Sequence, residues 1–239
     1  MREPDPTDRS PSSEVARMFD RISRTYDLLN HLLSLNSDRR WRRAAIRCLS
    51  LVPGHKILDC GAGTGDMALA AHRHTEGIRT VLLDPAHAML SLADSKAGII
   101  EPARFRLVRG LAERLPFADA AFDRFMVAFG IRNFADLRAG VGELCRVLKS
   151  GGRGVILEFT PDRAPIIDAV FTFYMRHVMA PLGAVISGDR DAYRYLSRTV
   201  QNFATSGDLL RMLEQAGFRD VESHRLSLGV ATLFVMEKR

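Results

Sequence analysis

From Ser13 to Ser50 the apolar positions recur every three to four residues: Val15, Met18, Phe19, Ile22 and Tyr26, then Leu28, Leu29, Leu32, Leu33 and Leu35. That spacing gathers them on one helical face, so two or three helices are predicted ahead of any strand. Pro53-Gly54 stops the pattern. From Lys56 the period changes, and short apolar runs near 56–60, 80–84, 105–109, 124–129 and 154–159 alternate with helical stretches near 65–74, 86–96 and 136–148. Strand and helix in alternation imply parallel βαβ units. Lys149-Ser-Gly-Gly152 is predicted to end the last of these helices as a glycine stop. Residues 162–205 break the alternation with an apolar, aromatic insertion that includes Phe171, Phe173, Tyr174, Met175, Val178, Met179, Leu182, Val185 and Ile186. Asp168, Arg176 and His177 interrupt it, which argues against a membrane span. A helix near 206–216, ending at Gly217, and strands near 220–227 and 230–237 complete an α/β pattern without internal repeats.

The 239 residues are enough for one large α/β domain with an added subdomain. We place it at 13–239, with N-terminal helices at 13–52 and the insertion at 162–205 as a helical lid. Residues 1–12 mix Pro, Asp, Arg and Ser with almost nothing apolar, and are expected to be a disordered leader. Three cysteines without paired spacing, and no apolar run after the start methionine, fit a reduced, cytoplasmic protein. The net charge is +6, carried mainly by arginine. These arginines are spread along the chain without a dense block or interleaved aromatics, so nucleic acid is not an expected partner. A basic face against anionic lipid headgroups, which would make the protein peripheral on the inner face of a membrane, stays open. So does a homodimer.

The chemistry concentrates at Asp59-Cys-Gly-Ala-Gly-Thr-Gly65, directly after the apolar run Ile57-Leu58. Glycines at alternate positions admit positive φ and let a ligand approach the main chain. The dinucleotide fingerprint G-x-G-x-x-G is not met, because its third glycine would fall on Asp66, so a different adenosine-containing cofactor is favoured. Thr80-Val-Leu-Leu-Asp84 is a second apolar run ending in a carboxylate, which can accept two hydrogen bonds from a ribose diol.

In D-x-G-x-G-x-G with a strand-end acid, the chain resembles S-adenosylmethionine (SAM) dependent methyltransferases. Further segments narrow the resemblance to the ubiquinone and menaquinone biosynthesis C-methyltransferase family, which methylates a ring carbon of a prenylated quinol. They are Phe19–Asn30 with Ser34-Leu35 and Arg40-Trp41, then Leu115-Pro-Phe-Ala-Asp119 with Phe122-Asp123, and Phe129-Gly-Ile-Arg-Asn133. Leu157-Glu-Phe159, Tyr174 with His177, Pro181 and Gly183, and Asp191-Ala-Tyr-Arg-Tyr-Leu196 follow in order. The resemblance implies a Rossmann-like class I SAM methyltransferase sheet, mostly parallel, with seven strands and the last antiparallel. It implies SAM as cofactor, held by Asp59, Gly61, Gly63, Thr64, Gly65, Asp84, Leu111, Ala112 and Ala128. It implies a prenylated quinol as substrate, with Arg132, Asn133 and Tyr26 as catalytic residues.

Methyl transfer from a sulfonium to an electron-rich ring carbon asks for positioning rather than a metal. A guanidinium resists losing a proton, so Arg132 is expected to stabilise a phenolate oxygen rather than to act as a base. The apolar insertion would shelter the prenyl tail, or else pack as an amphipathic helix pair. Two positions depart from the family. Leu111 stands where an Asp or Asn usually meets the adenine amino group, and Ala128 stands where a Ser is common. Phe203-Ala204 also lacks the family's proline after the aromatic. Two alternatives therefore stand beside quinol methylation: a methyltransferase of this class acting on another small or lipidic acceptor, or a catalytically silent SAM-binding protein.

Overall fold

The computed structural model describes residues 11–34, 36–98 and 102–239. The expected leader lies outside the described residues up to position 10, and so does Leu35. Pro11 and Ser12 are already helical. Two helices, α1 (Pro11–Leu33) and α2 (Ser37–Cys48), precede the sheet. Strands β1 (Lys56–Cys60), β2 (Arg79–Asp84), β3 (Phe105–Arg109), β4 (Phe122–Ala128) and β5 (Leu148–Glu158) follow. Helices α3 (Asp66–His74), α4 (His87–Gly98) and α5 (Leu137–Val147) join them in βαβ fashion.

All of these strands run parallel. After the insertion come α9 (Ser206–Gln215), β6 (Phe218–Leu226) and β7 (Ala231–Lys238), and β7 is antiparallel to both β5 and β6. The sheet order is β3-β2-β1-β4-β5-β7-β6, as expected for a mostly parallel seven-stranded sheet closed by one antiparallel strand.

The strands are apolar runs rather than alternations because both faces are covered. On one face Leu58, Phe125, Val141, Leu144, Phe218 and Phe234 are fully buried; on the other, Ile57, Met67, Leu82, Met126 and Val155 pack with Ile46 and Trp41 of α2. Strand order reverses between β1 and β4. In an open parallel sheet, that reversal leaves a crevice beyond the carboxyl ends of the two strands. The glycine loop leaves β1 there, and Phe129–Asn133 leave β4.

One expected boundary is different. Lys149–Gly152 is not a loop after α5 but the bulged start of β5, with Leu148 paired to Phe122 and a register shift before Arg124. Gly151 takes φ +70°, and a Cβ on Gly152 would sit 2.7 Å from the Lys149 carbonyl oxygen, so the glycines serve the bulge.

The insertion is helical. α6 (Pro165–Tyr174), a π-turn at Met175–Met179 and α7 (Ala180–Ser187) form one run, and α8 (Arg190–Gln201) returns across it. Length and composition alone would let Pro165–Ser187 cross a membrane, because Asp168 and Arg176 are too few charges to exclude it. In the fold it instead roofs a cavity. Met18, Ile22 and Leu29 of α1 bury against Ala192, Tyr193 and Leu196 of α8, so the N-terminal helix anchors this roof.

Candidate active site

The glycine loop is held by backbone bonds from below and by a carboxylate from the side. Gly61 and Ala62 donate their N–H groups to the Leu83 carbonyl (2.8 and 3.0 Å), and Gly63 N–H donates to Asp84 Oδ2 (2.8 Å). Gly61 has φ +69°, a left-handed conformation that glycine adopts without steric cost, and lies beside Gly130 of the loop after β4. Asp84 Oδ1 accepts from Ala86 N–H (2.9 Å), so each oxygen keeps a lone pair for a ligand hydroxyl. Burial pushes the Asp84 carboxyl up to about 6 despite these two bonds.

The cleft is walled by Gly61, Gly63, Thr64, Asp84, Leu111, Ala112, Ala128 and Asn133, all predicted site residues. Leu111 is 40% exposed at its rim. Asp59 and Gly65 are not on the wall. Asp59 is buried beneath it, bonded to the Ala68 backbone N–H through one oxygen and unpartnered at Oδ2, and burial raises its carboxyl to about 7. Gly65 caps α3 with φ +80°. Both support the loop from behind.

Charged residues that the motifs did not single out brace α1 over this cleft. Lys96 Nζ donates to Asp27 Oδ2 (2.5 Å), Asp66 Oδ1 (2.8 Å) and Thr64 Oγ1 (3.0 Å), and His31 contacts Asp38 (2.8 Å) and Asp66 (3.4 Å). They were invisible to local reading because the partners are up to 69 residues apart.

Beyond β4 lies a larger cavity of about 450 Å³, lined mostly by apolar side chains such as Phe159, Ile167, Phe171, Met175 and Leu196. Tyr26, Arg42 and Phe129 belong to both walls, so the polar cleft and the apolar cavity meet at these three residues. Phe129 adopts φ +58°, a conformation rare for a bulky residue, and its ring stacks on Phe159 at 4.7 Å. Arg42 carries its guanidinium 5.5 Å from the Phe129 ring centre, with Nε lacking a hydrogen-bond partner.

The three expected catalytic residues divide between the two spaces. Asn133 lines the cleft, and its Oδ1 accepts from the Tyr195 hydroxyl (3.2 Å). Arg132 lines the apolar cavity, and Tyr26 lines both. Burial raises the Tyr26 phenol, against the opposing pull of nearby Arg132. Arg132 is not a free cation. Its Nη1 donates to Glu158 Oε1 (2.8 Å) and Oε2 (3.1 Å) and to the Phe129 carbonyl (2.6 Å), and the pair is almost wholly buried. Burial also holds the Glu158 carboxyl above its ordinary range, only partly countered by Arg132. Glu158 was absent from the expected site. The available signal was an acid directly after the apolar run Val155-Ile-Leu157.

The pattern of the ubiE/COQ5 methyltransferase family matches residues 7–238. A ubiquinone/menaquinone biosynthesis C-methyltransferase of Syntrophotalea carbinolica is 41% identical over 227 residues, covering 95% of each chain. Demethylmenaquinone methyltransferases are similar too: that of Deinococcus radiodurans at 41% identity (94% of this chain, 92% of the relative) and that of Thermus thermophilus at 42% (92% and 100%). Among solved structures, a SAM-dependent methyltransferase of Thermotoga maritima superimposes with a TM-score of 0.67 at 18% identity, covering 94% of this chain and 100% of its own. The [4+2]-cyclase SpnF gives 0.70 at 17%, covering 95% and 96%. These likenesses set the fold and leave the reaction to the site.

Proposed function

The chain belongs to the ubiE/COQ5 methyltransferase family, and from that premise we propose that it is a SAM-dependent C-methyltransferase whose acceptor is a prenylated naphthoquinol, demethylmenaquinol. One observation carries the reading: a glycine-loop cleft with a ribose-binding carboxylate shares Tyr26, Arg42 and Phe129 with a 450 Å³ apolar cavity. A polar adenosine ligand and a greasy acceptor would then meet at one wall. The names of the relatives support the acceptor.

Bound SAM supplies an electrophilic methyl group. The chain's own residues then do the rest. Gly61 and Gly63 admit the ligand to the main chain, and Asp84 takes the ribose hydroxyls. Tyr26 and Phe129 press the acceptor ring toward the cleft. Arg132, held by Glu158, would place positive charge beside the ring oxygen and favour its ionisation to the phenolate, the electron-rich form whose neighbouring ring carbon takes the methyl group and then releases its own proton to restore the aromatic ring. The roof over the cavity shelters the tail from water.

Incubation with methyl-labelled SAM and chemically reduced demethylmenaquinol, in parallel with a prenylated benzoquinol, tests this. Label is expected in the naphthoquinone. Label only in the benzoquinone would change the nucleus, and label in neither would sink the reading and leave a methyltransferase of another acceptor or a silent SAM-binding protein. A smaller effect concerns the adenine end. Leu111→Asp is expected to tighten SAM about fivefold in calorimetry, the worth of one added hydrogen bond to the adenine amino group. An unchanged constant would remove Leu111 from the adenine contact.

The same reading extends to an anionic lipid surface on the cytoplasmic side, where the acceptor would be collected. Ile166 (78% exposed) and Phe173 are exposed on α6, Val185 (80%) is exposed on α7, and Val170 of α6 is exposed while also lining the cavity. The outward face is thus continuous with the tail chamber. Asp168, the run's one carboxylate among the described residues, is paired with Arg163, which leaves Arg176 to meet headgroups. Sedimentation with phosphatidylglycerol vesicles is expected for the wild type, and Ile166→Asp with Val185→Asp should weaken it at least tenfold at unchanged SAM affinity. A dimer that ignores vesicles would give this face to a second copy instead.

A further inference from the structure

Tyr193 lies on the wall of the apolar cavity, on α8, and is 2% exposed. Its hydroxyl has no hydrogen-bond partner, and it is the one buried hydroxyl in that condition among the described residues. Leaving a buried hydroxyl unpaired costs about 1–3 kcal/mol. Packing does not require it. The ring alone fills the space between α1 and α7: Met18, Ile22 and Leu29 flank it, and a Cβ on Gly183 would lie 2.3 Å from its Cδ1. Gly183 thus lets α7 close on the ring and hold its direction. A phenylalanine would pack as well, so packing does not account for the hydroxyl, and a ligand that enters the cavity with an acceptor atom would pair it.

We propose that Tyr193 is a positioning residue that donates a hydrogen bond to the quinol oxygen beside the tail-bearing carbon, the oxygen farther from the cofactor cleft. The inference rests on the quinol-methyltransferase reading. Tyr26 lines both cleft and cavity, and Arg132 is tied to that junction by its bond to the carbonyl of Phe129, which also lines both, whereas Tyr193 lines the cavity alone on α8, so Tyr193 stands on the side away from the methyl donor. Tyr26 and Arg132 then serve the oxygen next to the reacting carbon, and Tyr193 serves its para partner. Held at both oxygens, the ring presents one edge to the donor. Burial and the neighbouring Tyr26 raise the Tyr193 phenol, so it stays a donor throughout the working pH range.

The test compares two acceptors. 2-Geranyl-1,4-naphthoquinol, kept reduced with dithionite, has both hydroxyls; 3-geranyl-1-naphthol keeps the one beside the reacting carbon and lacks the one beside the tail. Their difference in intrinsic reactivity is common to every enzyme variant and cancels in a double-mutant cycle. The wild type is expected to prefer the quinol, in kcat/KM, by about tenfold more than Tyr193→Phe does, at unchanged SAM affinity. Equal preferences in the two enzymes would overturn the proposal, since a merely structural tyrosine would slow both acceptors alike. Should the variant fail to fold, equilibrium binding to the wild type decides. The quinol is expected to bind about tenfold tighter than the naphthol, and equal affinities would overturn the assignment. Methylation of neither acceptor would instead overturn the functional reading itself.

Discussion

Glu158→Ala is expected to lower stability by about 3–5 kcal/mol and to abolish methyl transfer, although Glu158 touches neither the glycine loop nor the cleft wall. The reason lies in what remains. Arg132 would keep its charge with only the Phe129 carbonyl as hydrogen-bond partner, in a place where its side chain is 4% exposed and where its Nε already lacks a partner. For a chain of this length the loss amounts to about 10 °C in melting temperature, readable by circular dichroism. Removing the pair together behaves differently. Arg132→Met with Glu158→Leu replaces both charges with apolar groups of similar volume, a change that is often neutral for stability.

The double variant should therefore regain most of the lost melting temperature and none of the activity. That split separates the two roles of Arg132, as half of a buried pair and as the cation that favours the reactive phenolate. A double variant that methylates quinol at the wild-type rate would remove Arg132 from the chemistry. An unshifted melt for Glu158→Ala would mean that the pair is not formed in solution.

The division of labour at this site explains what sequence reading could and could not reach. Strand ends were legible because a parallel sheet buried on both faces demands apolar runs, and an acid or glycine directly after such a run stands out, as at Asp84 and Gly61. Function-bearing residues on those ends came with the runs. Glu158 is the counterexample: it too ends an apolar run, but its meaning depends on Arg132, 26 residues away on the next strand's loop. Local pattern carries no record of such a partner. The bulge at Leu148–Gly152 was missed for the opposite reason. Glycine after a helix is the common stop, and only the pairing of Leu148 with Phe122 turns the same residues into strand. The two-chamber arrangement was least legible of all, because Tyr26, Arg42 and Phe129 come from two helices and a strand end with no shared periodicity.

Asp84→Ala is expected to raise the dissociation constant for SAM tenfold or more, the worth of a charged ribose contact of about 1.5–3 kcal/mol. Asp84 also anchors the glycine loop through Gly63 N–H, so the loss includes looser presentation of the main chain. The pH dependence isolates the charge. In the folded protein the carboxyl is pushed up to about 6 by burial, against an ordinary value near 4. The native state therefore holds this proton more tightly than the unfolded chain between about pH 4 and 6. This group's stabilising effect on the ligand-free protein is largest below pH 4 and is lost as pH rises through 6, at a cost of about 3 kcal/mol.

SAM affinity should run the other way. The ionised carboxylate is the better acceptor for ribose hydroxyls, so binding should weaken towards tenfold per pH unit below about pH 6 and should release a proton there. Calorimetry at pH 5.5 in buffers of different ionisation enthalpy measures that proton directly. In Asp84→Ala both the acid limb and the proton release should vanish, while binding at pH 8 is already weak. A variant that keeps the acid limb would assign the titration to another carboxyl, with Asp59 beneath the glycine loop next in line because burial raises it to about 7.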